Sequence, residues 1–260
     1  MIGPAHIVFI VAALAMPGAQ AQTPEPAVRP LTWQKLFLGP AGATYAFPVY
    51  SNHGPGDGMA RISRVLLVQH GRARNGDAYF LEAQNLMRKL GIDPQETLLI
   101  SPQFFSPAQT AKAMLTDFPA WGTGGFAGGE DSVSPPGSVS SFQVYDDLLA
   151  LLTDRKRFPA LRRIVLAGHS GGAVLVQQFA ALNRFDEKVR AAGIEIRYVV
   201  ANSSAFLYFN DQRPSGDGFS AYDSVLCPTY NDHRYGFSKI VRYAMSDAPA
   251  EVYRRYMERR

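Results

Sequence analysis

The residues best suited to chemistry are Gly168-His169-Ser170-Gly171-Gly172. They lie between an apolar run, Ile164 to Ala167, and a nearly all-apolar stretch, Ala173 to Leu182. A G-x-S-x-G pattern alone says little in a chain with 23 glycines. Between a strand and a helix, however, it describes a sharp turn that raises a serine hydroxyl above the end of a sheet, as in a nucleophile elbow. Gly168 and Gly172 let the two segments approach. The helix N-terminus then presents free N–H groups and a partial positive charge to an oxyanion forming beside Ser170. Ser170 is the candidate nucleophile.

A serine that attacks a carbonyl needs a second backbone donor for the oxyanion. His70-Gly71-Arg72 follows an apolar run that ends at Gln69. The amides of Arg72 and Gly171 are the expected pair of donors. Gly71 is expected to permit an unusual backbone, and His70 to be structural rather than catalytic. The nucleophile also needs a base and a group that orients the base. After Ser170 the sequence holds one histidine, His233, and the carboxylate nearest the end of the following strand is Asp211. A Ser170–Asp211–His233 arrangement is therefore one option. A structural role for His233 competes, because it sits in an aromatic and polar loop, Tyr230 to Tyr235.

The elements that must position these groups can be read from periodicity. Residues 61–69 and 97–100 read as strands, as do Ile164 to Ala167 and Ile196 to Ala201. The spacing predicts helices over 77–90, with Tyr79, Ala83, Leu86, Met87 and Leu90 on one face, from Ser140 onward, over 173–182 and over 249–259. Ser140 and Gln143 have the spacing of a capping box. Residues 101–138 and 203–235 read as irregular, and a stretch of that length is usually functional or a cover. The aromatics between 206 and 230 fit a cover over an apolar pocket as well as they fit core. Trp33 and Trp121 fit core or pocket equally. Strands alternating with helices predict a mainly parallel sheet with helices on both faces, in one domain.

Composition bounds the rest. The 260 residues are 47% apolar and 18% charged, enough for a large core and too apolar for general disorder. The net charge of +4 is too small and scattered to argue for nucleic acid. Arg155-Lys156-Arg157 and Arg162-Arg163 read as a solvated face. Five histidines without metal spacing, and the lack of a phosphate or dinucleotide loop, predict no metal and no cofactor. Ile7 to Met16 followed by Ala19-Gln20-Ala21 reads as a signal peptide over 1–21, too short for a stable membrane span. The expected division is then a signal at 1–21, a leader at 22–44 and a folded domain at 45–260, secreted or periplasmic. Cys227 is the single cysteine.

These motifs, with His70-Gly-Arg-Ala-Arg-Asn75, Ser101-Pro-Gln-Phe-Phe105, Ser140-Ser-Phe142, Val200-Ala-Asn-Ser-Ser204 and Cys227-Pro-Thr-Tyr-Asn231, resemble the exported α/β-hydrolases of bacteria and fungi. The likeness spans roughly residues 45 to 260. It implies an α/β-hydrolase-type sheet in which the strands ending at Gln69, Ile100 and Ala167 are the third, fourth and fifth, and Ile196 to Ala201 the sixth. It implies a secreted serine hydrolase acting on a small-molecule ester or acyl substrate through an acyl-enzyme at Ser170. It also implies a later strand carrying the acid, a later loop carrying the histidine, and a second cysteine for Cys227. On that reading the chain is C-terminally incomplete and lacks its triad acid and base. The alternatives are a complete hydrolase using Asp211 and His233, a non-catalytic binding protein on the same scaffold, and an acyltransferase. Oligomeric state is not fixed by any of these residues.

Overall fold

The computed structural model describes residues 32–54, 58–134 and 137–259. The expected signal segment at 1–21 lies outside the described residues.

The chain enters the sheet earlier than its composition indicates. Strand β1 (Gln34–Leu38) lies within the segment expected to be a leader, and pairs antiparallel with β2 (Tyr45–Ser51). β1 alternates half-exposed and exposed positions before ending in buried Leu38, the mark of an edge strand that periodicity detects poorly. β3 (Arg64–Gln69) leads to helix α1 (Gly76–Lys89), then β4 (Thr97–Pro102). Helix α2 (Pro107–Lys112) and a 3-10 turn at Gly125–Gly128 interrupt the stretch expected to be irregular. Next come α3 (Ser141–Leu152), β5 (Arg163–His169), α4 (Gly171–Leu182), α5 (Asp186–Ala191) and β6 (Glu195–Ala201). A small antiparallel hairpin, β7 (Gln212–Ser215) and β8 (Gly218–Ala221), lies in the second stretch expected to be irregular. Helix α6 (Pro249–Glu258) follows.

The six-stranded sheet has the order β1-β2-β4-β3-β5-β6. β3 pairs parallel with both β4 and β5, and β5 pairs parallel with β6, while β2 joins β4 antiparallel. This is a mainly parallel α/β-hydrolase-type sheet, with β3, β4, β5 and β6 in the positions expected. Alternate residues of each strand serve opposite faces. Val65 and Leu67 of β3 and Ile164 and Leu166 of β5 join α3 and α4 in the main core. Leu66 and Val68 face the other way, against Phe80, Ala83 and Met87 of α1. Helices therefore cover both faces.

α1 is rotated relative to the face expected. Phe80, Ala83 and Met87 are buried, whereas Leu86 and Leu90 are exposed. Its end is a Schellman motif: Gly91, at φ 64°, donates to Arg88 O, and Ile92 donates to Met87 O. Ser140 caps α3, its Oγ accepting from Phe142 N, but the Gln143 side chain turns away to Asp147. The reciprocal capping box forms instead at α2, between Ser106 and Gln109. α4 is buried almost all round, as its composition requires; each fully buried Leu or Phe contributes roughly 1.5–3 kcal/mol.

One part of the sheet is thinly covered. α1 packs on β2, β3 and β4, leaving a groove of about 440 Å³ whose lining includes Leu86, Ala167, Val199 and Ala201. β6 is the outer strand there, and Val199 and Val200 are 47% and 39% exposed.

Candidate active site

The junction between β5 and α4 is as tight as the sequence demands. Ser170 stands at φ 56° and ψ −120°, a conformation costing of order 1–3 kcal/mol for a residue with a side chain. A Cβ on Gly168 would fall 2.2 Å from Gly172 O, and one on Gly172 would fall 2.4 Å from Gln69 O. Both obstacles are backbone, so neither position tolerates a side chain without moving the sheet. Ser170 N donates to Ala201 O at 3.1 Å, which ties the turn to the end of β6. Ser170 O then accepts from Ala173 N and Val174 N, starting the helix. Ser170 itself is half-buried, and its hydroxyl makes no hydrogen bond among the described residues.

The loop after β3 lies directly against this junction. A Cβ on Gly71 would meet Ser170 Cβ at 3.4 Å, and one on Gly171 would meet Arg72 N at 3.2 Å. Arg72 N makes no hydrogen bond among the described residues. Gly171 N belongs to the first turn of α4, whose N–H groups have no partner within the helix. The two expected oxyanion donors and Ser170 are thus brought together. Gly71 does not adopt a left-handed backbone, and a Cβ there would crowd the Tyr79 hydroxyl at 3.2 Å. The left-handed residue of this loop is Arg74, at φ 55°.

His70 is fully buried and bonded on both nitrogens. Nδ1 donates to Gly71 O at 2.9 Å, and Nε2 accepts from Phe104 N at 3.1 Å. Burial, with the Arg74 cation adding to it, lowers its pKa to about 4 against the opposing hydrogen bond to Gly71. The ring is neutral at pH 7 and occupied, as a structural histidine is.

The other proposed pair is not assembled. His233 Nε2 donates to Gly128 O, and Nδ1 is buried without a partner. Burial holds its pKa below the ordinary value. Asp211 is exposed and makes no hydrogen bond or ion pair among the described residues. No hydrogen bond joins Ser170, Asp211 and His233. His169, beside the candidate nucleophile, is exposed, with Nδ1 bonded to Tyr79 OH at 2.9 Å. No motif announced that contact.

Sequence reasoning also missed the role of Arg74, which appears in the loop only as one more arginine. Its guanidinium is enclosed and meets main-chain carbonyls from two other segments. The aromatic stretch divides between packing and surface. Phe209 packs on Phe237, Tyr253 and Tyr256, whereas Phe206 and Tyr222 are half-exposed. The adjoining cleft of about 770 Å³ is lined by residues such as Tyr208, Phe219 and Tyr253, and not by Ser170. Trp121 is core, and Trp33 packs edge-on against Phe118. Arg155 is not simply solvated, since it donates to Leu161 O and Ala192 O.

Cys227 is a half-buried free thiol. No group of three or more His, Cys, Asp or Glu placed to hold a metal occurs among the described residues. None of their helices is long and apolar enough to cross a membrane.

The chain matches no protein-family profile and no curated protein. Solved structures resemble it at low identity. A poly(3-hydroxybutyrate) depolymerase from Bordetella parapertussis is 16% identical, with a TM-score of 0.42, over 82% of this chain and 71% of that one. A poly(aspartic acid) hydrolase from Sphingomonas sp. KT-1 is 14% identical, with a TM-score of 0.37, over 87% and 85%. An α/β serine hydrolase without a lid from Xanthomonas campestris is 14% identical, with a TM-score of 0.34, over 75% and 69%.

Proposed function

We propose that this protein is an exported serine hydrolase that forms an acyl-enzyme with carboxylic esters at Ser170. The observation that carries the reading is the strained Ser170 at φ 56° with the Arg72 and Gly171 amides beside it. A residue with a side chain is held in such a conformation only where its surroundings over-determine it. In the reaction, Ser170 Oγ bonds to the acyl carbon, the carbonyl electrons move to an oxyanion held by the two amides, and the alkoxide departs. The serine proton passes to solvent or to the leaving group. Export rests on the apolar run Ile7 to Met16 and Ala19-Gln20-Ala21.

No described side chain is hydrogen-bonded to the Ser170 hydroxyl, so among the described residues removal of the acyl group by water has no positioned base. An activated ester supplies a good leaving group and depends less on that base than water does. With excess p-nitrophenyl butyrate, the chain should release nitrophenol in a burst approaching one per molecule and then turn over slowly. Mass spectrometry should place the butyryl group on Ser170, and Ser170→Ala should abolish the burst. A burst that survives in Ser170→Ala overturns the proposal. Ester binding without any acyl adduct would instead establish the binding-protein reading, which the unassembled Asp211 and His233 favour.

A further inference from the structure

The loop between β3 and α1 carries the Arg72 amide, yet little in its own sequence makes it rigid. It is six residues long from His70 to Asn75, has one glycine, and ends on an N-cap whose side chain makes no capping bond. Beyond the buried, doubly bonded His70 at its start, what fixes it comes from Arg74. The left-handed backbone at Arg74 closes a turn, with Arg74 N donating to Gly71 O at 3.1 Å. Arg74 O accepts from Gln103 Nε2 at 2.9 Å. The guanidinium then spreads over four carbonyls: Phe104 O at 3.1 Å, Phe105 O at 2.8 Å, Trp121 O at 3.0 Å and Gly122 O at 2.7 Å. The first pair lies just past β4 and the second just before the 3-10 turn, so one side chain joins three segments.

The same anchor reaches His70. Phe104 N donates to His70 Nε2, while Phe104 O accepts from Arg74 Nη1, so one residue is gripped by both ends of the loop. The Phe126 ring lies 4.9 Å from the Arg74 guanidinium and 5.1 Å from the His70 ring, and closes the arrangement. Among the described residues Arg74 forms no ion pair; its charge is met by carbonyl dipoles and one aromatic face. Only a planar guanidinium presents donors to four acceptors at once, and a lysine ammonium has three donors on a flexible stem.

We propose that Arg74 is a positioning residue for acyl transfer, setting the Arg72 amide at the distance from Gly171 that an oxyanion requires. This rests on the Ser170 reading. The charge does not touch substrate; it acts through the loop. Displacing one oxyanion donor without removing it should slow acylation by about 10- to 100-fold, because a shift near 1 Å at a reacting centre can cost that much. Ground-state binding of the ester, which depends little on that donor, should hardly change.

The test measures the nitrophenol burst in the full chain over a range of p-nitrophenyl butyrate concentrations, for the wild type, Arg74→Lys and Arg74→Met. The expected result is a maximal acylation rate lowered about 10-fold or more in Arg74→Lys and further in Arg74→Met, with the half-saturating ester concentration changed less than about threefold. Amide hydrogen exchange supplies an arm independent of Ser170. Exchange at the amides of residue 74 and Gly76, which are bonded to Gly71 O and Gln103 Oε1, should quicken about 10-fold or more in Arg74→Lys, while the amides of β3 and β5 keep their protection. Equal burst rates in wild type and Arg74→Lys overturn the assignment while leaving the Ser170 reading intact. Unchanged exchange at residue 74 and Gly76 overturns it also. A wild type with no burst overturns both, and a uniform loss of protection across β3 and β5 shows Arg74 to be a general structural residue.

Discussion

A methyl group on Gly171 would lie 3.2 Å from the backbone nitrogen of Arg72. Two loops about a hundred residues apart in the chain therefore meet at a distance where only hydrogen fits comfortably. The meeting follows from the sheet: β3 and β5 are parallel neighbours in register, Gln69 beside Gly168, so their carboxyl ends emerge together. In open α/β sheets, that is where ligands are bound.

The glycines at this junction should be among the least replaceable of the described residues. Gly168→Ala would force its methyl to within 2.2 Å of Gly172 O, where backbone cannot yield. The expected loss is roughly 3 kcal/mol or more, or failure to fold. Gly218→Ala, with open space around it, should change stability by less than about 0.5 kcal/mol. Urea unfolding of both variants decides this, and equal midpoints would mean that the junction relaxes.

Strain at Ser170 has its own signature. Ala at this position keeps a Cβ in the same conformation, whereas Gly relieves it. Ser170→Gly should be more stable than Ser170→Ala by about 1 kcal/mol, the relieved strain being partly offset by the freer unfolded chain. The reverse order in urea unfolding would show that φ 56° costs nothing here.

His70 should resist protonation. Between its ordinary pKa of 6.5 and its folded value of about 4, the unfolded chain takes up a proton that the native ring does not. Its contribution to stability is therefore intact above about pH 6.5 and shrinks as the pH falls to 4, by on the order of 3 kcal/mol in all. Asp146 works in the opposite sense. Burial raises its carboxyl to about 6, so the native state takes up the extra proton and gains stability as the pH falls through that value. NMR titration of the His70 ring isolates its part of the balance. A midpoint near 6.5 in the folded protein would contradict the buried, doubly bonded ring.

The outer edge of β6 should govern self-association. Its exposed Val199 lines a thinly covered apolar groove, Val200 is exposed next to it in the strand, and such edges pair with other chains. Val199→Lys should lower association in sedimentation velocity while altering stability by less than about 0.5 kcal/mol. Unchanged association would move the contact elsewhere, to surfaces such as the exposed Val225 and Leu226.

Much of this was legible because the signals were local. The apolar run before Gly168 and the apolar helix after Gly172 state their own context, and β3 to β6 fall where periodicity puts them. β1 was not legible, since a half-exposed edge strand lacks a buried stripe and owes its existence to β2. The burial of Leu86 and Leu90 was overestimated because a helix face reads as inner whether or not the sheet beneath it is covered. The Asp211 and His233 pairing came from chain order, which carries no distance. Arg74 escaped notice because its four acceptors are main-chain carbonyls from positions 104 to 122, and no residue pattern encodes where a carbonyl will point.

The most direct test is a crystal structure of the full chain after reaction with a fluorophosphonate ester. The phosphorus should be bonded to Ser170 Oγ, with the phosphoryl oxygen about 2.7–3.1 Å from the nitrogens of both Arg72 and Gly171. An adduct on any other side chain, no adduct at all, or a phosphoryl oxygen turned away from those two amides would contradict the account.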